Sequence, residues 1–343
     1  MLDSILKEIE LRKEYLSHNN TINTIYFGGG TPSLLSADEI NRIINQITKH
    51  FNIANDAEIT LEANPDNLGK HALIALKQTP INRLSIGIQS FYDEDLKLMN
   101  RAHDAVMALR CVPDAAAAGF SQITIDLIYA LPNLSNERWI NNLETAFDLP
   151  INHLSCYCLT IEPRTALADM VKKNKVIIPD DEHAAKQFKL LVELSANAGF
   201  EQYEISNFCR EKKYSKHNSN YWKGESYLGI GPSAHSYNGA SRQWNIANNP
   251  QYIKSISEGV VPFSKEDLTP NQHYNEYILT SLRTCWGVEL SKLSAYGELY
   301  TNYFLNHITK KIAEQTVQHH QGIYTLTQKG KLFADKIAAD LFI

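Results

Sequence analysis

The sequence predicts an α/β protein: a parallel strand–helix core followed by a smaller, mostly helical domain. Three observations carry this. Short apolar runs alternate with amphipathic stretches from about residue 24 to residue 161. The strand-like runs are apolar on both faces, as in a parallel sheet covered by helices on both sides. After about residue 163 the alternation stops, and helices with a short strand pair close the chain.

In order, Leu2, Ile5, Leu6, Ile9, Tyr15 and Leu16 fall near helical spacing with charges between them. Thr24–Phe27 is a short β-rich run ending at Gly28-Gly29-Gly30. Ser36, with Glu39 three residues on, reads as the capped start of a helix over 40–51. Strands follow at 58–62, 83–89, 121–129 and 153–161, and helices at 68–77, 93–100, 105–118 and 136–147. Pro113 is expected to end or kink the helix it sits in. One long helix spans 180–198 and is closed by Gly199. Residues 200–265, rich in Tyr, Trp, Asn, Gly and Ser, read as loops and short strands. Helices return at 274–283, 290–296 and 300–315. Strands near 317 and 323–326 and a last helix over 327–341 complete a winged-helix-like outline.

At 343 residues the chain is long enough for two domains. Hydrophobic residues at 43% and charged residues at 21% exclude a disordered or collagen-like chain. The net charge of −5 argues against a nucleic-acid partner. No apolar run approaches the ~20 residues of a membrane span. Lys7, Glu8, Glu10, Arg12, Lys13 and Glu14 make the N-terminus unlike a signal peptide, so the cytoplasm is the expected location. The five cysteines, Cys111, Cys156, Cys158, Cys209 and Cys285, are odd in number and scattered, which argues against a disulfide framework. Cys156 and Cys158 share one face of a strand, and two small core residues are the plainer reading than a metal site.

Special residues recur just past the predicted strands, where parallel α/β folds place their sites. Gly28-Gly29-Gly30-Thr31-Pro32 follows the first, Glu62 the second and Gln89 the third; Asp126 lies within the fourth, and Tyr157 and Thr160 in the fifth. Each has a bland alternative. The glycines can form a tight turn, Glu62 can cap a loop, and Asp126 can pair with Arg83 or Arg101. Their shared position is what points to a ligand.

In order, GGGTP, EANP, GIQS, NRAH and IDLIYALP resemble the radical S-adenosylmethionine (SAM) proteins of the oxygen-independent coproporphyrinogen III oxidase family. LTIEPRT, YEISNF, HNSNYW and YLGIGPSAHS resemble its haem-chaperone branch. The resemblance runs from about residue 20 to the C-terminus. It implies a partial (β/α)6 barrel, SAM at the strand ends, a [4Fe–4S] cluster and a C-terminal accessory domain. On that division residues 1–165 are the barrel core, 166–265 a barrel extension with the Tyr/Trp-rich haem-binding region, and 266–343 the winged-helix-like domain. The resemblance assigns Gly29, Gly30 and Thr31 to the SAM methionine moiety. Glu62, Gln89, Arg101 and Asp126 would hold the SAM amine, carboxylate and ribose, with Thr160 in the same pocket. Carboxylates that accept from ammonium and hydroxyl groups, and an arginine that donates to a carboxylate, suit those tasks.

The family carries its cluster on a CxxxCxxC segment after a first barrel strand, and neither that segment nor that strand occurs in these 343 residues. A late start of the chain is the favoured expectation over a true cluster-less relative. His217-Asn218-Ser219-Asn220-Tyr221-Trp222 matches the HNxxYW pattern associated with haem in the chaperone branch. His217 is then a candidate axial ligand, with Tyr221, Trp222, Tyr227, Tyr237 and Trp244 as flat apolar surface. A packed aromatic cluster is the alternative. His235 is a second candidate and is expected to be structural. The function expected is haem binding and transfer to acceptor haem proteins, with a membrane-associated partner allowed. The rivals are a coproporphyrinogen III oxidase, which removes two propionate carboxyls, and a cluster-less SAM- or tetrapyrrole-binding protein.

Overall fold

The computed structural model describes residues 1–16, 21–163 and 165–343. Arg164 of the LTIEPRT stretch therefore lies outside the described residues. In chain order the elements are α1 (Leu2–Leu11), β1 (Thr21–Phe27), α2 (Ala37–His50), β2 (Asn52–Ala63), α3 (Lys70–Leu76), β3 (Arg83–Gln89), α4 (Asp93–Leu98) and α5 (Ala105–Ala117). Then come β4 (Gln122–Tyr129), α6 (Asn136–Asp148), β5 (His153–Cys158), α7 (Ala166–Lys172), α8 (Asp181–Asn197), β6 (Glu201–Gln202), β7 (Asn207–Cys209) and α9 (Lys216–Trp222). The chain continues through β8 (His235–Tyr237), β9 (Ser241–Asn245), α10 (Asn249–Ser257), β10 (Phe263–Asp267), α11 (Pro270–Leu282), β11 (Val288–Glu289), α12 (Leu290–Ser294) and α13 (Glu298–Ala313). It ends with β12 (Val317–His320), β13 (Ile323–Leu326), α14 (Gln328–Lys331) and α15 (Ala334–Ala339).

The main sheet has the order β1-β2-β3-β4-β5-β7-β6. Strands β2 to β5 run parallel, with Thr60 beside Arg83, Arg83 beside Gln122 and Thr124 beside His153. The sheet curls into a half-barrel, the expected fold. β7 and β6 extend it antiparallel. Leu61, Leu84, Ile86, Ile123, Ile125, Leu127 and Leu154 of its strands are fully buried and form its hydrophobic core. Helix starts follow capping chemistry. Asp104, Ser135, Thr165, Asp180 and Asn248 each accept a backbone N–H of the first turn, and Thr269 and Gln272 form a reciprocal capping box.

The chain packs as two compact units, one formed by residues 24–37 and 58–215, the other by 1–23, 38–57 and 216–343. Both are discontinuous in sequence. The second unit is discontinuous because α1 is held by residues far along the chain. Glu8, fully buried, accepts from Asn245 Nδ2 at 2.7 Å, Gly231 N at 2.8 Å and the Tyr252 hydroxyl at 2.5 Å.

Four local expectations are corrected. Helix α5 runs on through Pro113, because that residue is on the exposed face, where water can serve the carbonyl that proline leaves without a donor. β5 stops at Cys158, so Thr160 lies in the loop beyond it. The last helix is two short ones. Gly330 packs so close that a Cβ there would meet the Thr316 carbonyl at 1.9 Å, and Phe333 breaks the helical geometry. α7 falls in a stretch given no element by the sequence.

Candidate functional site: a cleft at the strand ends

Five structural segments deliver polar groups to one cleft. The loop after β1 brings Gly30, Thr31 and Ser33; the end of β2 brings Glu62 and Asn64; β3 brings Ser85, Gly87 and Gln89. Asp126 from β4 and Arg101 from the loop before α5 complete it. The cleft has a volume of about 220 Å³ and opens to solvent. All of these residues belong to the unit of 24–37 and 58–215.

Of the residues expected from sequence, Gly30, Thr31, Glu62, Gln89, Arg101 and Asp126 meet here, and Gly29 adjoins them. Thr160 does not line the cleft; it is exposed in its loop. Gly29 and Gly30 have φ of 76° and 67°, a left-handed turn that presents bare backbone to the opening.

Glu62 is already engaged. It accepts the Tyr26 hydroxyl on Oε1 at 2.6 Å and the Gly29 N–H on Oε2 at 3.1 Å, so it orders the glycine loop. Lone pairs remain on both oxygens for a ligand. Burial, then the nearby Glu62 charge, pushes the Tyr26 phenol pKa up and keeps it a donor. Arg101 Nη2 donates to Asn64 Oδ1 at 2.7 Å and to the Gly87 carbonyl at 3.0 Å, leaving the rest of its guanidinium fork for an anion. Burial lowers the Arg101 pKa, while Asp66 and Asp126 oppose that shift.

Asp126 is the most perturbed carboxyl. Burial pushes its pKa up to about 7, and the Glu62 charge adds to this. The Ser155 hydroxyl and Arg101 pull the other way. The Ser155 hydroxyl, beside Asp126 on the next strand, donates to Asn207 Oδ1 of β7 at 2.8 Å. Arg83, the alternative partner for Asp126, is turned to Glu58 at 3.4 Å and to Thr124 at 2.8 Å.

Ser33, Asn64, Ser85 and Gly87 are cleft groups that sequence reasoning missed, as is Tyr26, which acts on the cleft through Glu62. Asn64 and Gly87 stood inside the EANP and GIQS motifs, and Ser85 two residues before Gly87 on the same face of the strand; each was readable from that position.

Among the described residues no three His, Cys, Asp or Glu side chains converge as a metal site. Cys156 is buried with its thiol pushed well up, first by burial, and Cys158 is exposed at the strand end with its thiol also raised. Neither favours the thiolate that iron needs, so these residues do not fit a [4Fe–4S] cluster.

In the other unit α9 carries His217 half-buried and, four residues on, Tyr221, which is 53% exposed on the same helical face. Asn218 Oδ1 accepts from Trp222 Nε1 at 3.1 Å and fixes the indole. Tyr221 lies 5.5 Å from Tyr227 by ring centroids, and Tyr227 lies 6.3 Å from Tyr237. Trp244 instead stacks on His235 at 6.2 Å. The imidazole of His217 and the exposed ring of Tyr221, on one helical face, are groups that can ligate and flank a haem, while Tyr227 and Tyr237 are half-buried.

Comparison with known proteins agrees with this geometry. Residues 3–146 match the radical SAM superfamily. The heme chaperone HemW of Mycobacterium tuberculosis is 31% identical over 322 residues, 94% of this chain and 81% of the relative. The heme chaperone HemW of Bacillus subtilis is 32% identical over 320 residues, 92% of this chain and 84% of the relative. The solved coproporphyrinogen III oxidase HemN of Escherichia coli has the same fold, with a TM-score of 0.84 at 22% identity over 99% of this chain and 82% of that one.

Proposed function

This chain belongs to the HemW family of radical SAM proteins, and we propose that it is a haem chaperone, binding haem and passing it to acceptor haem proteins. The observation that carries the proposal is the pairing of His217 with the exposed Tyr221 on one face of α9, beside Tyr227 and Tyr237. His217 ligates the haem iron, and the tyrosine rings lie against the macrocycle. The cargo reaches acceptors in the cytoplasm, and a membrane-associated acceptor is served from the same site.

The cleft is assigned to SAM. Gly29, Gly30 and Thr31 take the methionine end. Arg101 donates to the carboxylate, and Asp126 and Glu62 accept from the amine and ribose hydroxyls. The proposal concerns the binding of SAM in this cleft, and the radical SAM family implies a [4Fe–4S] cluster beside it.

A second reading, a coproporphyrinogen III oxidase, is favoured by the shared fold alone. One experiment separates the two. Haem is titrated into the protein and into His217→Ala, followed by Soret absorbance, while coproporphyrinogen decarboxylation is assayed without oxygen. The chaperone reading expects tight haem binding, a shifted Soret band in the variant, and no decarboxylation. Identical spectra and affinities in both proteins sink the role of His217, and turnover of coproporphyrinogen puts the enzyme first.

A further inference from the structure

Strand β3 does not end regularly. Ile86 pairs with Ile125, yet Gln89 pairs with Leu127, so β3 takes three steps where β4 takes two. That is a bulge, a device that re-aims side chains at sheet ends. Gln89 has φ of 69°, uncommon for a residue with a side chain. The Ser90 N–H donates to the Ile88 carbonyl at 2.9 Å around it. An i→i+2 bond about a residue of positive φ is the strained form of the γ-turn. Such strain persists only where the surroundings hold it.

The surroundings here are buried and polar. His103, 3% exposed, places Nε2 at 3.0 Å from the same Ile88 carbonyl. A carbonyl only accepts, so Nε2 carries the proton and donates. Two residues earlier, Arg101 Nη2 donates to the Gly87 carbonyl at 3.0 Å. Alternate residues of one loop thus hold the two successive carbonyls at the bulge. On the other side the Ser90 hydroxyl donates to Asp95 at 2.7 Å and accepts from Asn142 at 3.2 Å.

The turn has a consequence in the cleft. A Cβ on Gly87 would lie 2.8 Å from Gln89 Nε2 and 3.2 Å from Arg101 Nη2. The Gln89 amide is therefore folded back over the bare Gly87 beside the guanidinium, where both face the ligand space.

We propose that His103 is a positioning residue for this cleft: by holding the Ile88 carbonyl it keeps Gln89 in its strained turn, with the amide presented to the ligand. This rests on the assignment of the cleft to SAM. His103 does not line the cleft and acts through Gln89.

The test uses the 343-residue chain and the variants His103→Leu, His103→Gln, Gln89→Ala and the double variant His103→Leu/Gln89→Ala. SAM affinity is measured by calorimetry, and exchange of the Ser90 amide hydrogen is followed without ligand. His103→Leu should weaken SAM roughly tenfold, the scale of a lost hydrogen bond. His103→Gln, which keeps an N–H donor, should recover most of that. The double variant should bind no worse than Gln89→Ala alone, because the effect of His103 passes through Gln89. The Ser90 amide should exchange faster in His103→Leu. Wild-type affinity in a folded His103→Leu, fully additive losses, or unchanged Ser90 exchange would each overturn the proposal. If the unaltered protein binds no SAM, the assignment of the cleft fails, while the exchange result still decides whether His103 holds the turn. Should His103→Leu not fold, His103→Asn, with a shorter amide, takes its place in both measurements.

Discussion

Asp126 sits among apolar neighbours of β4, and its carboxyl is raised from the ordinary 3.8 to about 7 by burial first and by Glu62 second. The sign for stability follows from linkage. Between about pH 4 and pH 7 the folded chain keeps a proton there that the unfolded chain has lost, so this residue lowers stability as pH rises through that window. For binding, a SAM ammonium favours the ionised acceptor, which gives a charge-assisted bond. SAM affinity should therefore fall as pH drops below about 7, with proton release seen as buffer-dependent heats in calorimetry. Asp126→Asn should remove both effects, and a variant with the same pH profile as the unaltered protein would take Asp126 out of the linkage. Gly87 gives a second prediction at this scale. Gly87→Ala must push aside two flexible side-chain ends, so the protein should fold with little change in Tm while SAM affinity drops roughly tenfold. Glu62 and Gln89 were legible in the sequence because each stood at a strand end, Asp126 because it was a charge inside an apolar strand, and Arg101 only through the family resemblance. What they hold was not legible. The carboxylate of Glu62 spends one bond on Tyr26 and one on Gly29, a contact across 33 residues that no spacing rule encodes.

The elements were legible where one local signal dominated. β3, over 83–89, has the expected bounds, because an apolar run is flanked by turn residues on both sides. β2 starts at Asn52 rather than residue 58: Asn52, Asn55 and Asp56 are exposed and polar, so no apolar run marks its start. The bulge in β3 left no mark in composition beyond Gly87. Helix α5 shows the opposite case, a strong local signal overridden by context. Its buried stripe of Ala108, Cys111, Val112 and Ala115 holds the helix together past Pro113. That leaves stability to be recovered. Pro113→Ala restores an N–H donor on an exposed position and should raise the unfolding free energy by about 1–2 kcal/mol, less than the full proline penalty because the unfolded chain also gains freedom. Urea unfolding with an unchanged m-value would measure it. A lower midpoint would mean that Pro113 fixes a bend on which the packing of Cys111 and Ala115 depends.

At the scale of the whole chain, the unit holding residues 1–23 closes only when its first helix meets residues more than two hundred positions away. Glu8 makes that closure specific. Its carboxylate accepts from Gly231, Asn245 and Tyr252, and Arg12 stands 3.7 Å away and donates to Gln243 at 2.7 Å. Burial lowers the Arg12 pKa, and the Glu8 charge is the main force opposing that. Removing Glu8 would strand a buried guanidinium and leave three buried donors unmet. Truncating one partner of such a pair costs about 3–5 kcal/mol, a large share of the stability of any domain. Glu8→Gln keeps an acceptor but not the charge, and should cost less. The residues held by Glu8 flank His235 and Trp244, which stack on each other, so indole fluorescence should report the loss. The SAM cleft is built entirely from the other unit. Glu8→Ala should therefore shift the urea midpoint and the fluorescence while SAM affinity, measured where the protein is still folded, stays within about twofold of the unaltered chain. A midpoint moved by less than the equivalent of about 1 kcal/mol would show that neutral hydrogen bonds alone hold α1. A matching loss of SAM affinity would show that the two units do not respond separately.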